Sequence, residues 1–127
     1  MSDPTLALHA ALFDRLKAEL SCPVFDSVPD KTPYPYVVLD YEVVDNTDSL
    51  NERSDRRLFY FSVWSDYRGQ VVVKTLNAEI DAALHNRPFP LTTGRVASIS
   101  VTRKECLREP DGVTFQGAVT VLILTEH

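Results

Sequence analysis

Glycine is scarce in this chain, four residues in 127, and Gly69, Gly94, Gly112 and Gly117 stand alone. They never cluster into the loop of backbone N–H groups that cradles a phosphate. Cysteine is scarcer still. Cys22 and Cys106 lie far apart without a metal-ligating neighbour, and His9, His85 and His127 show no ligand spacing, so the sequence offers no metal site. Long apolar runs are also missing. Asp14, Arg15, Lys17 and Glu19 interrupt the first 20 residues, unlike a secretory leader, and nothing approaches the roughly 20 apolar residues of a membrane span. Synthesis in a reducing cytoplasm is the expectation. Basic residues are outnumbered, and a net charge of −5 leaves no cluster of cations for clamping phosphates. Nucleic acid is not expected as a direct ligand.

A catalytic constellation is absent from the sequence as well. A nucleophile or an acid/base group needs a second residue to position it, and no motif supplies that pair. Cys22 with His9 or His85 would be a thiol–imidazole pair, but no local signature surrounds Cys22, and a free cysteine usually packs as a small hydrophobe. His85, at a helix end where a cation complements the dipole, and His9 both read as structural. The carboxylates Asp45, Asp48, Glu52 and Asp55 lack the glycine and terminal glutamate of a calcium loop. Arg53, Arg56 and Arg57 among them suit ion pairs across a subunit boundary. No cofactor is expected.

What is present is globular composition, 44% hydrophobic and 24% charged, at a length that suits one core. A single domain over residues 1–127 is expected. The stretch Arg57 to Ser65 says most. Side chains alternate between the faces of a strand, and here both faces are apolar: Phe59, Phe61 and Val63 on one, Leu58, Tyr60 and Trp64 on the other. Before it, Asp3-Pro4 predicts a helix start, with Leu6, Ala10, Phe13, Leu16 and Leu20 as the buried stripe and an end near Pro23. Four prolines between 23 and 35 predict a rigid extended or turning connector. Val37, Leu39, Tyr41 and Val43 alternate with Asp40 and Glu42 as a half-buried strand over 36–44. Residues Asp45–Asp55 then predict a polar loop of 11 residues, long for a hairpin, either a functional arm or a solvated tip.

Ser65-Asp66 predicts the cap of a second helix carried by Val72, Leu76, Ile80, Ala83 and Leu84. Strands Arg95–Arg108 and Val113–Glu126 form a final hairpin about Glu109-Pro110-Asp111-Gly112. The resulting fold class is α+β, in the order α-β-β-α-β-β, a four-stranded mostly antiparallel sheet with two helices on one face. The other face then presents Leu58, Tyr60, Trp64, Leu122 and Leu124. A contiguous apolar patch of this kind is more often an interaction surface than idle surface, which favours an assembly component over an enzyme.

Several segments together resemble a known family. They are the Leu-Ala-rich first helix, Val28-Pro29, the run Pro33-Tyr34-Pro35-Tyr36-Val37-Val38-Leu39, Phe61-Ser62-Val63-Trp64-Ser65, Asp81-Ala82-Ala83-Leu84-His85 and the Glu109–Gly112 turn. In order and spacing they resemble, over nearly the whole chain, the tail-completion or tail-terminator proteins of long-tailed phages and of gene transfer agents. The resemblance implies a homohexameric ring, with no active site, that caps the tail tube and stops its growth. Its partners would be the tail tube protein and the head-side connector protein, with DNA passing through the lumen without specific binding. Ring contacts would involve the 45–55 region, with Asp48, Glu52 and Arg53, alongside Leu58, Tyr60, Trp64, Leu122 and Leu124. Assembly would take place in a bacterial cytoplasm, and the finished protein would sit at the tail–head junction of a virion. A head-side connector or tube subunit would share these features. A small enzyme or ligand-binding domain would instead show a deep apolar pocket.

Overall fold

The computed structural model describes residues 3–127. Its elements are α1 (Thr5–Glu19), β1 (Val24–Phe25), β2 (Tyr36–Asn46), β3 (Ser54–Ser65), α2 (Val71–Leu84), β4 (Arg95–Arg108) and β5 (Phe115–Glu126). They build one five-stranded sheet in the order β1-β2-β3-β5-β4. The expected α+β class holds, but the sheet is mixed and has a fifth strand. Within the proline-rich connector, Val24 and Phe25 pair in parallel with Val37 and Val38, and Val24 is buried. Proline had argued against helix there. A two-residue edge strand needs so few ladder bonds that the flanking prolines do not prevent it.

Both helices lie on one face of the sheet. Leu8, Leu12 and Leu16 of α1 and Leu76, Ile80 and Leu84 of α2 share one cluster with Phe59, Phe61, Val63, Val119, Val121 and Ile123. The buried stripe of α1 keeps Phe13, Leu16 and Leu20 of the expected set and replaces its first two members. Leu6 and Ala10 are exposed, and the i, i+4 series through Leu8, Leu12, Leu16 and Leu20 faces the sheet. Two apolar series run along this helix, and the one richer in leucine buries more area. Asp3 still serves the helix start, one position outside the expected cap, by accepting the Thr5 N–H at 2.8 Å. The second helix begins after Gly69, whose φ of +87° breaks the chain direction. Ser65 instead ends β3, and its Oγ accepts the Tyr67 N–H.

The hairpin loop is shorter than expected. The ladder continues through Val44–Arg57, Asp45–Arg56 and Asn46–Asp55, leaving only Thr47–Arg53 outside it. Polar composition concealed these pairs because a ladder is made by backbone, whatever the side chains do in solvent. Within the loop, Asp48 accepts the Ser54 N–H at 2.8 Å and pairs with Arg53 at 2.7 Å. The final turn follows expectation. Gly112 has φ +72°, and Asp111 accepts the N–H groups of Val113 and Thr114.

Gly117 is the closest approach of sheet to helix. A Cβ there would lie 2.5 Å from Asn77 Oδ1, 2.7 Å from Val73 Cγ1 and 3.1 Å from Val63 Cβ. Gly117→Ala should therefore cost about 1–3 kcal/mol through overpacking, read as a lower midpoint in chemical denaturation at unchanged slope. Wild-type stability in this variant would show that α2 shifts freely over β5.

Candidate functional site

The sheet face opposite the helices has no covering element among the described residues. On it, Leu58 pairs across to Leu122 and Val43, while Tyr60 pairs across to Thr120 and Tyr41. Leu124 lies opposite Arg56 and extends the patch toward the hairpin end. The rings of Tyr41 and Tyr60 stack at 4.4 Å and 14°. Leu58, Tyr60 and Leu122 are half-buried, and Tyr41 is 56% exposed. The structure thus brings Leu58, Tyr60, Leu122 and Leu124 together. Trp64 is on the same face but separate. Ser62 lies between it and Tyr60, within a polar chain in which Gln116 Nε2 donates to Ser62 Oγ and Ser62 donates to Asp40. Trp64 pairs across to Tyr36 and Gln116 instead.

Tyr41 and Val43 belong to this face against expectation. The register of β2 shifts between Leu39 and Tyr41, with Asp40 as the extra residue. A bulge reverses the alternation, so Val37 and Leu39 stay on the core side while Tyr41 and Val43 turn outward. The polar residues at 40 and 42 fit an unbroken strand equally well, so the single sequence carried no signal of the reversal.

Asp48, Glu52 and Arg53 sit in the loop at the far end of the sheet, beyond Leu124. Of these, Glu52 and Arg53 join Asn51, Gly94, Arg95, Glu126 and His127 around a cleft of about 570 Å³ with a mixed, charged lining. It lacks the apolar walls and convergent polar groups of a small-molecule site. Arg57 is the residue whose place departs furthest from the sequence reading. Its side chain is on the core face and fully buried, with partners within the chain rather than across a subunit boundary. Nε donates to Thr125 Oγ1 at 3.0 Å, and the Nη atoms reach Thr5 Oγ1 at 2.8 Å, Asp3 at 3.0 Å and Asp55 at 3.2 Å. Glu42 approaches at 3.6 Å, and His127 Nε2 lies 2.9 Å from Asp55. Arg56 is exposed and lies 3.8 Å from Asp45 of its own chain.

The groups that suggested chemistry are held in structural roles. Burial, and then the charge of Glu79, push the Cys22 thiol up to about 11, far from a reactive thiolate. His85 Nδ1 accepts the Val101 N–H at 3.0 Å, and the His9 ring packs on Phe13. Among the described residues, no three His, Cys, Asp or Glu side chains gather as a metal site. Among the same residues no helix is long and apolar enough to cross a membrane.

The helices back one face of the sheet and leave the other, with its apolar centre, uncovered among the described residues. The sequence matches the family described as Tail completion protein gp17 over residues 7–126, and the chain belongs to that family. Its members are structural components of virions, so this chain is a structural tail protein and not an enzyme. The fold is shared with a chain of a solved structure described as "Virion of native gene transfer agent (GTA) particle". That chain has a TM-score of 0.89 and 22% identity, with 100% of both chains covered. No curated protein sequence matches significantly.

The Arg57 cluster generates a pH dependence. Hydrogen bonds from the Thr5 hydroxyl and amide, followed by Arg57, hold the Asp3 carboxyl down to about 2. A carboxylate whose folded value lies below its unfolded value of about 4 adds stability above that pH. That contribution is lost as pH falls from about 4 toward about 2. Asp48 and Asp111, lowered mainly by backbone N–H groups, act with the same sign. Melting temperature should fall on acidification through this window, and Asp3→Asn should flatten part of the slope. An unchanged slope in Asp3→Asn would remove Asp3 from the network.

Proposed function

We propose that the chain forms a hexameric ring that caps the tail tube, ends its elongation and joins the tail to the head-side connector. Membership of the tail-completion family supports this reading, and the uncovered apolar sheet face is the observation that carries it. A face bearing Tyr41, Leu58, Tyr60 and Leu122 has the aromatic and aliphatic content of an interface centre. In the proposed ring it is buried against neighbouring subunits, with Trp64 and the loop residues Asp48, Glu52 and Arg53 at the margins. The shared fold of a chain in a gene transfer agent virion supports a place in such a particle. Six copies would carry roughly −30, and carboxylates turned to the lumen would keep passing DNA from sticking.

Truncating a central aromatic at an interface commonly costs ~2 kcal/mol or more. Tyr60→Ala should therefore weaken ring formation at least tenfold in light scattering, and Trp64→Ala, at the margin, should weaken it less, with the melting temperature of the subunit nearly unchanged in both. If both variants fold and assemble as wild type does, the sheet face is idle surface.

A cap acts by occupying the growing end of a polymer. In a stock lacking this protein, electron microscopy should show tubes spread well beyond normal length alongside filled, tailless heads. Tubes of normal length that merely lack heads would reassign the chain to a connector, and normal infectious particles would end the structural reading.

A further inference from the structure

The two rims of the sheet are open and oppositely charged. At one rim, β1 covers only Val37 and Val38, so Leu39–Asn46 of β2 has no strand beyond it. This stretch carries three carboxylates, Asp40, Glu42 and Asp45, and no Lys or Arg. At the other rim, β4 pairs only with β5. Its 14 residues carry four cations, Arg95, Arg103, Lys104 and Arg108, against the single carboxylate Glu105.

An unpaired strand rim is a template for another chain, and folds that must stay alone blunt it with cations, proline or bulges. The rim of β4 has cations and register shifts at Ala97 and Thr102, which block a neutral or basic strand and leave it open only to one whose carboxylates offset those cations. The free stretch of β2 has no proline and no cation, and it leaves Tyr41, Val43 and Val44 exposed. Like rims repel, which disfavours β2 against β2 and β4 against β4. Only the unlike pairing gains from charge, and it is head-to-tail, the geometry that closes into a ring.

Resting on the ring reading above, we propose that the basic β4 rim of one copy adds to the acidic Leu39–Asn46 rim of the next. The sheet then continues from subunit to subunit by main-chain hydrogen bonds. Charges within the chain leave this pairing available. Arg108 has no carboxylate partner among the described residues. Arg95, Lys104 and Arg103 pair within the chain with Glu126, Asp81 and the half-buried Glu105, and Glu42 turns to the buried Arg57. Arg103, Asp45 and Arg56 are exposed and exchange partners at little cost, so the rim pairing rests on Arg103 and Arg108 against Asp40 and Asp45.

The test uses two rim variants, Asp40→Lys/Asp45→Lys and Arg103→Glu/Arg108→Glu. Native mass spectrometry would be run on the protein, and electron microscopy on particles from a deletion stock complemented with each. Each variant alone carries two rims of one sign and should lose the hexamer at least tenfold. An equal mixture should restore it with three copies of each, because alternation closes a ring of six. Should a double variant melt early, Asp45→Lys and Arg108→Glu singly narrow the charge difference between the rims. Each should then weaken the hexamer, by less than the double variants do, with the equal mixture again stronger than either alone. A folded variant that assembles alone as wild type does, or a mixture of folded variants that stays apart, overturns the rim pairing while leaving the ring intact. A wild-type protein that forms no ring, free or on particles, overturns the ring reading and this pairing together.

Discussion

The constraint on which the structure turns is the central place of β3. It is the third of five strands, flanked by β2 and β5, and its side chains are apolar on both faces. The chain supplies two helices, and both cover the face of Phe59, Phe61 and Val63. Covering the other face would require further elements. Apolar surface left wet forgoes about 25 cal/mol per Å², a deficit that association recovers. In the ring proposed above, the incompleteness of the fold is itself what would drive assembly.

On the covered side, the core ends in a charge. Arg57 lies where the alternation of β3 demands a core residue, and it is tolerated because α1, β2, β3 and β5 all contribute partners. Removing a guanidinium from water is costly unless its donors are met, so the network contributes less to net stability than its bond count suggests. It imposes geometry instead. Thr5, at the start of α1, and Asp3 before it are tied to β3 through the Arg57 guanidinium. The same cluster orders the hairpin end through Asp55 and His127, so the loop carrying Asp48 and Arg53 grows from a pinned base.

Much of this was legible in the sequence, for identifiable reasons. The alternation of β3 and β5, the Glu109–Gly112 turn and the stripe of α2 are local patterns, and each lies in the structure close to where it reads. Departures arise where long-range contact decides. Nothing near Asp40 announces a bulge, yet its one-residue slip moves Tyr41 and Val43 onto the open face. Arg57 read as an ion-pair partner across a subunit boundary because its true partners are scattered from Asp3 to Thr125. Of the candidate contact residues, Leu58, Tyr60, Leu122 and Leu124 follow from strand parity alone. The loop residues Asp48, Glu52 and Arg53 came from composition and from resemblance, and the structure places them at a separate end of the sheet.

Side-chain-resolution imaging of the tail–head junction in intact particles tests the central claim most directly. The account predicts that Tyr41, Leu58, Tyr60 and Leu122 are sealed against another protein subunit, with the helices turned away from that contact. A junction in which this sheet face is open to solvent while the α1 and α2 surface makes the subunit contacts would contradict it.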